Sequence, residues 1–254
     1  MQTNPAVWTR GLVTALHTLT ALPVPGRDAD DAVDALPWFP LVGALLGGLA
    51  VLLDWTLRTS HLLTDPGLRA FVLVLFGVLV TRGLHLDGVA DWADGFWGGY
   101  TRQRTLAIMK DSSLGAFGTT ALVLVLLGKY AAVSACLEAG RPEALIAAFA
   151  LARCTQVDLA VTLPYARIEG GTGLPFVDRS RRGHLLGAAL MALAVVLLAV
   201  HIRAAAVAVL AAFAASKLFA GWYRRRVGGV TGDLLGNASE WTEVLVLALV
   251  GALR

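Results

Sequence analysis

Long apolar blocks, each about as long as a bilayer is thick, recur along this chain and leave it few soluble solutions. WFPLVGALLGGLAVLLDWTL fills 38–57, and others fill 67–84, 115–137, 143–163, 183–200 and 204–222, with a shorter one at 240–254. A spanning helix takes about 20 predominantly apolar residues. Composition points the same way. Apolar residues make up 57% of the chain and charged ones 15%, where a soluble domain carries about a quarter charged. The expected fold class is all-α: a polytopic integral membrane helical bundle of about seven transmembrane helices, forming one domain over 1–254. Residues 6–22 read as an interfacial or partly inserted helix that ends at Pro23 and Pro25.

Seven spans place the loops alternately on two sides. Arg102, Arg104, Lys110, Arg167, Arg179, Arg181, Arg182 and Arg224 to Arg226 fall on one side; Arg58, Arg141 and Arg203 fall on the other. The positive-inside rule makes the first side cytoplasmic, and that side also receives the long polar loops. The net charge of +3 comes without a basic stripe, so nucleic-acid binding is not expected. Cys136 and Cys154 lie inside apolar blocks and read as small buried hydrophobes. The first residues lack the charged start and cleavage site of a signal peptide. DADDAVD (28–34) reads as a solvated loop. GALLGGLA (43–50) reads as close helix packing, and such spans also permit association between copies.

GLHLDGVADWADGF (83–96) sets Asp87, Asp91 and Asp94 directly after the run FVLVLFGVLV. If this stretch is helical and continues the second span, the three carboxylates share one face. Like charges so spaced repel, and carboxylates near a membrane are costly and usually functional. Three readings follow: a solvated helix end, a cation or proton pathway in a transporter, and a site where Mg²⁺ offsets the repulsion and is shared with substrate phosphates. MKDSSLGAFG (109–118) adds Lys110, Asp111, Ser112, Ser113 and Gly115 at a helix start, where backbone N–H groups bind anions; a plain N-cap is the alternative. RRRVGGVTGDLLGNASEWTE (224–243) contributes Thr231 and Asp233, with Glu240 and Glu243 one turn apart. Its glycine- and threonine-rich turn suits an anion, and its acids suit a metal or a hydroxyl nucleophile. YARIEGGTGLPFVDRSRRG (165–183) holds Arg167 and Glu169 and by itself is only a polar loop.

HLDGVADWADG, IMKDSSLGAFG and GGVTGDLLGNASE resemble the three signature blocks of the cobalamin synthase family, the adenosylcobinamide-GDP ribazoletransferases. LTALPVP (19–25), WFPLVGALLG (38–47), Lys129 and YAR (165–167) extend the likeness over nearly the whole chain. Trp92, Ser113 and Asn237 depart from the usual pattern. The resemblance implies an enzyme of the bacterial inner membrane that joins α-ribazole, or its 5′-phosphate, to adenosylcobinamide-GDP and releases GMP, with Mg²⁺ as cofactor. It assigns Asp87, Asp91 and Asp94 to the metal. Lys110, Asp111, Asp233 and His85 become candidate catalytic groups, and Ser112, Gly115, Arg167, Thr231 and Glu240 candidate substrate contacts. The implied partners are the small-molecule substrates and membrane lipids, and earlier enzymes of corrinoid assembly have room to dock on the cytoplasmic face. The rival classes are a CDP-alcohol phosphatidyltransferase, whose aspartate signature is similar but more widely spaced, and a small ion-coupled transporter.

Overall fold

The computed structural model describes residues 5–253, with side chains from residue 9 onward. Residues 1–4, part of the stretch read for a signal peptide, and residue 254, the last of the expected seventh span, lie outside the described residues. Eleven α-helices run in order: α1 (Pro5–Leu19), α2 (Phe39–Thr59), α3 (Pro66–Val80), α4 (Leu84–Gly98), α5 (Arg102–Ile108), α6 (Ala116–Glu138), α7 (Ala144–Thr162), α8 (Leu174–Val177), α9 (Arg182–Ala199), α10 (Ile202–Val227) and α11 (Gly232–Gly251). A 3₁₀ turn over Ala32–Trp38 precedes α2. Among the described residues the only β-type pairing is a single bridge between Tyr165 and Val230.

Among the described residues, five helical segments are long and apolar enough to cross a membrane, and a sixth appears if α3 and α4 are one broken span. The expected count of about seven is therefore not reached on length and composition. The difference lies in α3, α4 and α11. The second apolar block does not continue straight into the acidic stretch: α3 and α4 meet at 89°. Arg82 (φ 53°) and Gly83 (φ 65°) turn the chain there through two left-handed residues in succession, a conformation that only glycine adopts at no cost. α11 starts at Gly232, earlier than the apolar block that announces it, because Thr231 caps it by accepting from the Leu234 N–H. Its first three turns and a little more carry Asn237, Ser239, Glu240, Thr242 and Glu243, all buried.

α7 is the central helix, with 78% of its most apolar window buried inside the protein. Gly43 and Gly47 of α2 lie against its backbone; a β-carbon at Gly47 would stand 2.6 Å from Ile146 Cα. Small residues of this kind let membrane helices approach closely. Gly88 of α4 meets the backbone of Asp233 at the start of α11, and Gly236 of α11 meets His85. This double-glycine crossing sets the first turns of α4 and α11 side by side.

Charged side chains inside the bundle stand in ion pairs, as a medium without water favours. Asp54 of α2 faces Arg69 of α3 at 3.1 Å, both nearly inaccessible. Asp158 of α7 accepts from Ser216 and from Lys217 of α10, each at 2.5 Å. Lys129 of α6 reaches Glu240 at 2.7 Å and Glu243 at 2.6 Å, and Arg153 of α7 reaches Glu243 at 2.6 Å. The acids of 28–34 are not merely solvated. Asp28 accepts from His17 and Thr14, Asp30 pairs with Arg10, and Asp31 pairs with Arg179. His17 also contacts the Val24 carbonyl at 2.8 Å. The Val24 carbonyl, then the Asp28 carboxylate, raise its pKa above the ordinary value, because both ring nitrogens donate only in the imidazolium.

Two expectations follow. Gly88→Ala should lower the thermal midpoint in detergent by an amount matching about 1–3 kcal/mol, the usual cost of overpacking, while Gly48→Ala, inside α2 with open space around its β-carbon, should not lower it and should raise it slightly. The raised pKa of His17 stabilises the docked α1 below the free imidazole value near 6.5, and that contribution is lost as pH rises through the raised value. Limited proteolysis between residues 20 and 30 should therefore accelerate from pH 6 to pH 9, and His17→Gln should abolish the difference.

Candidate active site

The aspartate face of α4 survives the 89° bend, and its members have separate tasks. Asp94 looks along α4 to the start of α6. Its Oδ2 accepts from the Gly115 N–H at 2.7 Å and its Oδ1 from the Gly118 N–H at 2.9 Å. Both glycines are needed, since a β-carbon at either would press into this carboxylate. A carboxylate here satisfies two orphan donors and complements the helix dipole. The phosphate site read into the start of α6 is thus filled by the protein's own Asp94, and Gly115 serves that cap.

Asp91 is half-buried one turn earlier. Asp233, Asp87 and Asp94, with the guanidinium of Arg167, all act on it electrostatically. Asp87 is exposed and borders two cavities, of about 650 and 470 Å³. Asp233 borders the smaller one. Arg167 holds Asp233 at 2.6 Å and also donates to the Met109 carbonyl at 3.1 Å. It is aimed there by the Tyr165–Val230 bridge, in which Ala166 N–H donates to Val230 and Val230 N–H to Pro164. One arginine thereby ties three sequence-distant blocks together.

The remaining candidates divide. Met109 is buried and anchors the loop that follows it. Lys110 projects outward, 3.9 Å from Glu169, with both side chains mostly exposed. Hydrogen bonds from Ser113 hold the Asp111 carboxyl below the usual carboxylate range, which makes it a poor proton acceptor at neutral pH. Ser112 is exposed in the same loop. Thr231 is fully buried and spends its oxygen capping α11. Glu240 lies behind the cavity wall, paired with Lys129. His85 lines the smaller cavity; its Nε2 lies 3.0 Å from the Gln156 amide and its Nδ1 3.8 Å from Glu240. The structure thus brings together Asp87, Asp91, Asp233, Arg167 and His85. It leaves Lys110, Asp111 and Ser112 exposed in the loop before α6, and uses Asp94, Gly115, Thr231 and Glu240 to hold the frame.

Sequence reading missed Arg153, Gln156, Phe39, Phe176 and Thr172. Arg153 and Gln156, one turn apart in an otherwise apolar span, were a signal for an inward polar stripe. The phenylalanines gave none, since only the fold places Phe39 of α2 5.7 Å from Phe176 of α8. Two departures from the family pattern meet neighbours on α10. Trp92 packs edge-on against Trp222, and Asn237 donates to the Tyr223 hydroxyl at 2.6 Å.

Among the described residues, no three His, Cys, Asp or Glu side chains stand close enough to form a metal cage. The donor set suits a different arrangement. Mg²⁺ is typically held by one or two carboxylates, with waters and substrate phosphates completing its shell. Asp87 and Asp91 accept no hydrogen bond from a described residue, whereas Asp94 and Asp233 are engaged. The residues present therefore fit an ion shared with substrate.

A family model described as cobalamin-5-phosphate synthase matches residues 11–251. The adenosylcobinamide-GDP ribazoletransferase of Chlorobaculum tepidum is 47% identical over 94% of this chain and 94% of its own length. That of Prosthecochloris aestuarii is 44% identical over 93% and 95%, and that of Ralstonia nicotianae 38% identical over 94% and 93%. No solved structure matches. The phosphatidyltransferase and transporter readings find no support in these comparisons.

The division of labour along α4 is measurable. Asp94→Ala should destabilise the detergent-solubilised protein by about 0.5–2 kcal/mol, the usual cost of losing an N-cap. Asp87→Asn should leave the thermal midpoint within experimental error. An equal loss in both variants would contradict the separate roles.

Proposed function

The chain belongs to the cobalamin-5-phosphate synthase family, and from that membership together with the acidic face of α4 we propose that it is a membrane-embedded adenosylcobinamide-GDP ribazoletransferase. It joins α-ribazole, or its 5′-phosphate, to the cobinamide phosphate of adenosylcobinamide-GDP and releases GMP. A ribazole hydroxyl attacks the phosphorus that bears cobinamide, a new P–O bond forms, and the P–O bond to GMP breaks. The leaving oxygen keeps the electron pair, and the hydroxyl proton is released to water.

The observation that carries this reading is the pair of acids at the smaller cavity: Asp87, which borders both cavities, and Asp233, which Arg167 holds at 2.6 Å. Transfer of this kind depends on positioning and charge neutralisation more than on covalent catalysis. Asp87 and Asp91 are the residues that would hold Mg²⁺, and a bound Mg²⁺ would neutralise the diphosphate and stabilise the departing phosphate. Arg167 orients Asp233 through a 2.6 Å ion pair. The buried His85 and Gln156 form the polar floor of the smaller cavity and exclude bulk water there. Lys110 in the exposed loop before α6 adds a cation for phosphates entering from solvent. The arginines gathered at this end, Arg102, Arg224 and Arg226 among them, cap backbone carbonyls and favour its placement on the cytoplasmic side of the bacterial inner membrane. Access from the cytoplasm suits two substrates too polar to dissolve in lipid.

Purified protein in vesicles, given adenosylcobinamide-GDP and α-ribazole, should form cobalamin and GMP in equal amounts when Mg²⁺ is present and neither when it is chelated. Asp91→Asn should reduce turnover by about 100-fold or more, comparable to removing one electrostatic stabiliser of a transition state, with an unchanged elution profile. Normal GMP release by that variant would refute the role given to the acidic face.

A further inference from the structure

Asp87 stands in a partition. Together with Thr18 of α1 and Leu84, it borders both the 650 Å³ and the 470 Å³ cavity. The two spaces differ in chemistry. The larger one carries threonine hydroxyls (Thr20, Thr81), His17 and Arg82. Arg82 is exposed, its side chain makes no hydrogen bond or ion pair with a described residue, and it sits at φ 53°, where a non-glycine residue costs free energy. Its guanidinium borders the larger cavity, and guanidinium is the side chain best matched to phosphate oxygens. The smaller cavity has no cation in its wall. Phe39 and Phe176, tilted at 55° to one another, line it with Leu36 and Leu235, while His85, Gln156 and Asp233 supply its polar end. The Gln156 Oε1 and the His85 Nδ1 are buried and lack a hydrogen-bond partner. Such atoms are rare in folded proteins and call for an explanation. The two rings and the polar end suit an aromatic, partly polar ligand.

Building on the ribazoletransferase reading, we propose that the two substrates occupy these two cavities at once. The nucleoside diphosphate end of the activated corrinoid lies under Arg82, the aromatic nucleoside lies against Phe39 and Phe176, and they meet across Asp87. The nucleoside hydroxyl attacks the cobinamide-bearing phosphorus directly, GMP departs into the larger cavity with the electron pair of the broken P–O bond, and the proton goes to water. No group of the protein is phosphorylated on the way. Both substrates must be bound before either product leaves.

Two variants test this beside the wild type. Arg82→Gly removes the cation and suits the left-handed backbone, so the fold should hold. Phe176→Leu keeps apolar volume and removes the ring. Initial rates with both substrates varied should give intersecting lines for the wild type. Arg82→Gly should raise KM for adenosylcobinamide-GDP about tenfold, the loss of one charge-assisted contact, with KM for α-ribazole unchanged. Phe176→Leu should do the reverse. Quenching of tryptophan fluorescence by GDP, measured without turnover, should weaken in the Arg82 variant alone. A wild type that forms no cobalamin would overturn the ribazoletransferase reading and this assignment with it. An active wild type with parallel lines, or with both variants affecting the same substrate, would overturn the two-cavity assignment alone.

Discussion

Lys129 lies between Glu240 and Glu243 in the middle of the bundle, and Arg153 closes the group from the other side. Four charges with no water nearby are tolerable only because they cancel pairwise. Attraction in such surroundings is strong, but desolvation removes most of the gain, so the cluster adds little net stability while making any single loss expensive, at about 3–5 kcal/mol. Its value is specificity. It admits one register of α6, α7 and α11, and no sliding of these helices preserves the pairing.

That register decides the site. With α11 held, its first turn must begin beside α4, and the glycines at 88 and 236 let the two backbones touch. Asp233 then arrives next to Asp91, and the Tyr165–Val230 bridge brings Arg167 to Asp233. At the other end of α4, Asp94 binds the first N–H groups of α6. The acidic helix is therefore fixed at both ends by neighbours that belong to the frame. Repulsion among its carboxylates, which would unwind an isolated helix, is held in place by tertiary contacts. Asp87 and Asp91 remain accepting and unengaged, as a site for a shared cation and a diphosphate requires.

Much of this was legible in the chain. The apolar blocks announce α2, α6, α7, α9 and α10 to within a few residues, because the bilayer thickness sets both length and composition. The aspartate spacing announces a shared face, and α4 is helical as that requires. Glu240 is less legible: its acidity and its block suggest substrate, yet its partner Lys129 lies 111 positions away on another helix. Thr231 and Gly115 are likewise ordinary frame elements whose context looks catalytic in one dimension. The glycine-rich loop after α7, unremarkable by itself, carries Thr172 and Phe176 into a cavity wall.

By itself the sequence determined the membrane class, the positions of α2, α6, α7, α9 and α10 and the identity of the three signature blocks, since each depends on local composition or on short, contiguous motifs. Only the tertiary structure decided which of four neighbouring acids are free and which are consumed as caps or ion pairs. It alone made the right-angle turn at Arg82 and Gly83 and the two cavities that meet at Asp87. The physical reason is that a carboxylate's role depends on which donors surround it, and those donors come from helices far apart in the chain.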